Sequence, residues 1–203
     1  MDHTRLLVKK AQNNDLSAFE ELVRLYQNKV YALCTNLTGN RDDAQDLAQE
    51  AFIRAYRAMG SFRNEADFGT WLHRITVNVW LNLKRKNNGQ PPVSLDEPYR
   101  GDDGGEVRRE VAAEDGDPLQ ALEEKEFRGL VRAALDSLSE EHRAVLVLRE
   151  IEGYSYEEVS RMLGCSLGTV KSRLSRAREA MKRRMTELAR ENGESLPAGK
   201  GRR

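Results

Sequence analysis

The stretch SYEEVSRMLGCSLGTVKSRLSRAREA, Ser155 to Ala180, leaves this chain few folds to choose from. Ser155 with Glu158 three residues on makes a capping box, which predicts a helix starting at Tyr156. Val159, Met162 and Leu163 give that helix one apolar face. Gly164 stops it, because glycine accepts the left-handed backbone of a helix end. Ser166 caps a second helix. There Leu167, Val170, Leu174, Ala177 and Met181 recur at three- and four-residue steps and predict one buried stripe. At about 100° per residue, Ser172 and Arg176 point away from the stripe, with Lys171 and Arg173 on its flanks. From Ser166 to Met185 there are seven basic residues and one acidic residue. A short helix, a glycine turn and a basic helix form a helix-turn-helix. Its basic side chains neutralise phosphates, and its second helix fits the DNA major groove. A basic amphipathic helix also occurs as plain packing. The order of cap, turn, cap and basic helix favours DNA.

Charge is distributed in blocks that the zero net charge hides. Residues 1–90 carry 13 basic and 10 acidic side chains, residues 91–125 carry 4 and 11, and residues 126–203 carry 16 and 12. Two mildly basic ends flank an acidic middle, a pattern that suits nucleic-acid contact at both ends. No apolar run approaches 18 residues and no stretch reads as a signal peptide, so the expectation is a protein inside the cell without membrane insertion. Cys34 and Cys165 lie far apart without metal spacing and read as reduced thiols. His3, His73 and His142 form no ligand cluster. No metal or cofactor is expected.

The remaining chain reads as helix nearly throughout, with no alternating strand pattern. Leu6 to Ala11 is a short first helix. Asp15 or Ser17 caps the next, through Phe19, Leu22, Val23, Tyr26, Val30, Leu33 and Leu37 to the break at Gly39. Asn40 caps a third, with Asp42 and Asp43 in its first turn, where negative charge suits the helix dipole. Its core face is Ala44, Leu47, Ala48, Ala51, Phe52, Ala55 and Met59, and Gly60 is expected to end it. A polar loop, Ser61 to Asp67, precedes a helix from Phe68 to Lys86, with Phe68, Leu72, Ile75, Val79 and Leu83 on its buried side. From Asn87 to about Pro118 there are four prolines, five glycines and many acids, the texture of a flexible linker. Helices resume near Leu119, with Phe127, Leu130, Val131, Ala134, Leu135 and Leu138 periodic. Ser139 caps a helix enclosing Val145, Leu146 and Leu148 and ending at Gly153. The tail beyond Asn192 reads as disordered. The expected fold is all-α: a domain over 1–90, an acidic linker over 91–118, a helix-turn-helix domain over 119–190 and a tail over 191–203.

The third helix carries a second signal. Its exposed face holds Asp46, Gln49, Glu50, Ile53, Arg54 and Arg57. Ile53 is apolar among charges, midway between an acidic and a basic half. A single exposed isoleucine is ordinary on a protein surface. This one would also suit a protein partner. No nucleophile–base pair, metal set or glycine-rich phosphate loop appears, so the chain is not expected to be an enzyme.

DDAQDLAQEAFIRAYRAMGSF, Asp42 to Phe62, with FGTWLHRITVN, Phe68 to Asn78, resembles the second conserved region of bacterial sigma factors. SLSEEHRAVLVLREIEGYSYEEVSRMLGCSLGTVKSRLSRARE, Ser137 to Glu179, resembles their fourth region. Two such blocks and no others are similar to the extracytoplasmic-function (ECF) group of the sigma-70 family. The resemblance implies a promoter-specificity subunit that binds core RNA polymerase, through its β′ clamp helices and β flap. It recognises minus-ten and minus-thirty-five elements as duplex and as melted minus-ten strand. On it, Asp46, Gln49, Glu50, Ile53 and Arg57 correspond to the clamp-docking surface. Phe62 and Asn78 occupy positions around a pocket for a flipped minus-ten base. Lys84, Arg85 and Lys86 would hold phosphates nearby. Lys171, Ser172, Arg173 and Arg176 match positions that meet the minus-thirty-five element. Trp71 reads as core. Phe62 could instead plug a helix end, Asn78 could be a surface amide, and Arg178, Lys182 and Arg183 read as a solvated helix end. The resemblance also implies control by an anti-sigma protein, often membrane-bound, and a cytoplasmic location. The alternatives are a free-standing helix-turn-helix regulator with a sensing domain, for which residues 1–90 show no pattern, and a helical protein adaptor, which the basic helix argues against.

Overall fold

A computed structural model describes residues 3–63, 66–89 and 118–191, the first eight of the last segment as backbone alone. Its elements are all helical: α1 (His3–Gln12), α2 (Leu16–Thr38), α3 (Arg41–Ala58), α4 (Phe68–Asn87), α5 (Pro118–Asp136), α6 (Glu140–Leu146), α7 (Tyr156–Leu163) and α8 (Leu167–Glu191). A 3-10 turn, Met59–Ser61, follows α3, and a π-helical turn, Val147–Ile151, follows α6. The expected linker and tail lie outside the described residues.

Most boundaries are set by local chemistry. The Asp15 carboxylate accepts from the Ala18 backbone N–H at 3.1 Å, so Asp15 rather than Ser17 caps α2. Gly39, at φ 79°, closes that helix in the left-handed region. Asn40 accepts from the Asp43 N–H at 2.8 Å and starts α3 one residue later. Gly60 does not terminate α3. The α-helix gives way at Met59 to a tighter turn whose backbone any residue could adopt, and that turn buries Met59.

The N-terminal half wraps α2, α3 and α4 around Leu22, Val30, Leu33, Leu37, Leu47 and Leu72, with α1 laid across α2. In the C-terminal half α6, α7 and α8 enclose Val145, Leu148, Val159, Met162, Val170 and Leu174. Three expected core residues are on the surface: Leu83, Phe127 and Leu167 are each about two-fifths exposed. Leu167 is the first residue of α8 and Leu83 lies near the end of α4, whereas Phe127 sits midway along α5.

The halves do not stand apart. α4 packs on α6 and α7, and α2 approaches α5 and the π turn. On α4 a second stripe, His73, Val77 and Trp80, is buried alongside Leu72 and Val79. The Tyr154 hydroxyl and His73 Nδ1 are hydrogen-bonded at 2.9 Å. Arg143, 8% exposed, donates from Nη1 to the Leu37 carbonyl at 2.8 Å and pairs with Asp136 at 3.0 Å. The Asp136 carboxylate occupies the space where a Cβ on Gly39 would lie, 2.1 Å from its Oδ1. Cys34 is fully buried, and burial pushes its thiol up to about 12.

Beside Tyr154 lies Glu152, 3.8 Å from His73 Nδ1. Burial, helped by the Lys29 charge, brings the imidazole down to about 4, so it is neutral at physiological pH and the approach is not an ion pair. Burial raises the Glu152 carboxyl to about 7. The folded chain therefore keeps a proton that the unfolded chain releases above the ordinary carboxyl value. Stability from this group is full below about pH 4.5 and is lost as pH rises to about 7, by on the order of 3 kcal/mol. Glu152→Gln should melt higher than the parent at pH 8 and level with it at pH 4, by thermal unfolding at both pH values. An equal gap at both would contradict the buried, protonated carboxyl.

Candidate nucleic-acid and partner surfaces

The helix-turn-helix is built as its sequence spells it. Ser155 Oγ accepts from the Glu158 N–H at 3.2 Å, and Glu158 Oε2 accepts from the Ser155 N–H at 2.7 Å, closing the capping box. Gly164 turns the chain at φ 59°. Ser160 then ties the turn down: its carbonyl accepts from the Cys165 N–H and its hydroxyl donates to the Cys165 carbonyl. Ser166 Oγ accepts from the Thr169 N–H at 3.1 Å and starts α8. Because both ends of the turn are bonded, the angle between α7 and α8 is fixed by covalently near groups.

On α8, Lys171, Ser172 and Arg176 are exposed, opposite the buried Val170, Leu174 and Ala177. The Ser172 hydroxyl donates back to the Thr169 carbonyl at 3.0 Å. Arg173 is half-buried and paired with Glu141 of α6 at 2.7 Å. Cys165 is half-buried beside it, and burial raises its thiol while Arg173 pulls the other way. Arg178 is bonded to Glu150 of the π turn, though both are about half exposed. Sequence reasoning missed these two carboxylates. Each pairs across about 30 residues of chain, beyond the reach of any helical periodicity. A groove of about 360 Å³ runs between the π turn and α8, with Leu146, Met181 and Met185 in it and Glu150, Arg178 and Lys182 at its polar edge.

The N-terminal half presents two further surfaces. Along α3, Asp46, Gln49, Ile53 and Arg57 are exposed in one stripe, with Ile53 at 39%. Glu50 is half-buried and holds Arg54 at 2.6 Å. The second half covers none of this stripe's exposed members. The other surface lies around the loop ahead of α4. Phe62 is buried, 6% exposed, with ring centroids 4.7 Å from Trp71 and 6.0 Å from Phe68. Its carbonyl accepts from Gln12 Nε2 of α1 at 2.6 Å. The ring thus plugs the end of the helix bundle beneath the loop, whose residues 64 and 65 lie outside the described set. Trp71 is core, as expected. Asn78 is half-buried on α4. Lys84 and Arg85 are half-buried and Lys86 exposed, in the last turn of that helix, where cations offset the dipole. The structure therefore does not gather the proposed site residues at one point. It distributes them over α3, α4 and α8.

Residues 22–90 match the family model for Sigma-70 region 2, and residues 128–181 that for Sigma-70, region 4. RNA polymerase sigma-H factor of Pseudomonas aeruginosa is 39% identical over 186 residues, covering 91% of this chain and 95% of that protein. The ECF RNA polymerase sigma-E factor of Escherichia coli K12 is 38% identical over 189 residues, covering 92% and 96%. Among solved structures, CnrH in complex with the cytosolic domain of CnrY is similar at a TM-score of 0.60 and 25% identity, covering 96% of this chain and 100% of that one. The sigma factor RpoE in complex with the anti-sigma factor NepR from Bartonella quintana is similar at 0.58 and 25%, covering 84% and 98%.

Because Phe62 is buried among rings, its replacement should be felt as a core truncation. Phe62→Ala should lower unfolding stability by about 3–5 kcal/mol, read from urea denaturation. A cost below about 1 kcal/mol would mean that the ring leaves the cluster in solution.

Proposed function

This chain belongs to the ECF group of the sigma-70 family, and from that premise we propose how its surfaces divide the work of a sigma factor. A sigma factor is a promoter-specificity subunit of bacterial RNA polymerase and not itself an enzyme. The polymerase makes the RNA, and this chain directs where it starts.

On this reading residues 1–90 form the region 2 domain, residues 91–118 a linker and residues 119–190 the region 4 domain. Asp46, Gln49, Glu50, Ile53 and Arg57 dock on the β′ clamp helices. An apolar side chain ringed by charges suits a protein contact, since the isoleucine supplies buried area and the charges fix register. Lys171, Ser172, Arg173 and Arg176 meet the minus-thirty-five element in the major groove. The groove beside Leu146, Met181 and Met185 receives the β flap. Around the minus-ten element, Asn78 borders the loop that takes the extruded base. Phe62 holds that loop from beneath, and Lys84, Arg85 and Lys86 hold adjacent phosphates. Extruding a base costs a few kcal/mol, which a firmly seated loop can repay in stacking and edge hydrogen bonds.

The observation that carries the reading is the bonded turn between α7 and α8 with Lys171, Ser172 and Arg176 exposed opposite its buried stripe. An anti-sigma protein is the expected regulator. The similarity to RpoE, whose partner NepR is named an anti-sigma factor, supports this. No helix among the described residues is long and apolar enough to cross a membrane. Any hold at the membrane would come from such a partner.

Transcription with purified core polymerase tests the whole reading: specific initiation must depend on this chain alone. Within it, Ile53→Glu should weaken core binding about tenfold or more while helix content stays intact. Core binding as tight as the parent's would misplace the docking face. Arg176→Ala should cost about 1–3 kcal/mol in promoter binding if it reads a base, or flatten the salt dependence by roughly one unit of slope if it meets phosphate. A variant unchanged in both would remove α8 from the groove.

A further inference from the structure

Three cations assigned to the minus-thirty-five element, Lys171, Arg173 and Arg176, follow one another within about two turns of α8. Arg173 and Arg176 are three residues apart and so share one side of the helix. Arg176 is exposed and has no ion-pair partner among the described residues. Arg173 Nη2 lies 2.7 Å from Glu141 Oε2. Glu141 stands in the first turn of α6, beside Glu140. Negative charge there suits the helix dipole, but Glu140 already meets that need. The position of Glu141 on Arg173 is therefore open to a second role.

We propose that Glu141 is a specificity-determining residue: it withholds Arg173 from DNA that lacks the element and yields it to DNA that carries the element. This rests on the placement of α8 in the major groove.

The pair is built to exchange. The Arg173 side chain is 26% exposed and that of Glu141 52%. An ion pair so open to water is worth only a few-fold in an equilibrium. Arg173 can leave it, and leaving has a consequence. A phosphate that receives the guanidinium comes within about 8 Å of the vacated carboxylate, inside the screening length of physiological salt. The two like charges repel. On DNA without the element, nothing offsets both the broken pair and the repulsion. Arg173 then stays on Glu141 and adds no phosphate contact. On the element, Lys171, Ser172 and Arg176 seat α8 in one register, and Arg173 meets a partner at a fixed place. Specificity gained by penalising the wrong partner needs such a repulsive group as well as the attractive ones.

Glu141→Gln keeps an acceptor for Arg173 and removes the charge. Holoenzyme made with this variant is titrated against two duplexes over a range of salt. One is a promoter selected by the parent holoenzyme from a random library; the other is the same duplex with its minus-thirty-five element scrambled. The variant should bind the scrambled duplex about 2- to 10-fold more tightly and with a salt slope steeper by roughly one, the mark of one added phosphate contact. The promoter slope should not change, so the promoter-to-scrambled affinity ratio should fall. Glu141→Ala should move the same way. An unchanged ratio, through equal gains on both duplexes or through none, overturns the proposal.

The same substitution in an Arg173→Ala background separates positioning from direct repulsion. There Glu141→Gln should leave the ratio where Arg173→Ala alone puts it. A ratio that still falls means that the carboxylate acts on DNA by itself, and overturns the proposal. Arg173→Ala alone should weaken binding to the promoter more than to the scrambled duplex. If it weakens neither, Arg173 is not at the DNA, and the surface assignment fails together with the proposal. A loss in Arg173→Ala beside an unmoved ratio in Glu141→Gln overturns the proposal alone.

Discussion

The described fold turns on one guanidinium sunk between its halves. Arg143 is buried, and burial pulls it below its ordinary value while Asp136 and Glu140 pull it back. A charge in that position is tolerable only with partners, and it has two: the Leu37 carbonyl, left over at the end of α2, and the Asp136 carboxylate. Asp136 can reach it because Gly39 has no side chain. Those contacts set α6 against the N-terminal half. With α6 in place, α7 lies on α4 and brings Tyr154 to His73. Remove the guanidinium and each of these placements loses a reason.

What sequence made legible, and what it did not, follows from how far apart the determining residues lie. The turn from Ser155 to Thr169 was readable to the residue, because every bond that shapes it joins near neighbours: Ser155 with Glu158, Ser160 with Cys165, Ser166 with Thr169. The Asn40 cap was readable for the same reason, while α2 offered Asp15 or Ser17 and the bond from the Ala18 N–H to Asp15 decides between them. α4 was read as one-sided because one apolar stripe, from Phe68 through Val79, is evident. Its second buried stripe includes His73, a residue that pattern assigns to neither face, and its cover comes from α7, some 80 residues on. Phe62 illustrates a different limit. An aromatic beside a polar loop suits a base-stacking platform and a bundle plug equally well, and only the positions of Phe68 and Trp71 around it decide. Within the candidate surfaces, the exposed residues of α3 and α8 followed from helical phase. The carboxylates on Arg173 and Arg178 did not.

Those carboxylates refine how α8 would meet DNA. Lys171 and Arg176 have no ion-pair partner among the described residues, whereas Arg173 is tied to Glu141 and Arg178 to Glu150. An arginine already holding a carboxylate must give it up, or share it, to reach a phosphate. The stripe is therefore graded. Two cations are at once available, one is held at the helix flank, and one closes over the groove beside Met181. On the reading proposed above, each of the two regions would offer one surface to protein and another to DNA, on different helix faces.

Gly39 has a consequence for how freely the two regions can be recombined. A sigma factor of two short regions invites the picture of interchangeable parts, each carrying its own promoter element. Here the end of α2 has been hollowed to admit a carboxylate from α5, and neither surface makes sense without the other. A side chain at position 39 would be strained by its own backbone and would also collide with Asp136. Substitutions at the two positions should therefore be inherited as a pair among descendants of this chain. A hybrid joining this N-terminal region to a foreign C-terminal one would inherit half of a fitted joint, with helices intact and nothing to seat in the hollow.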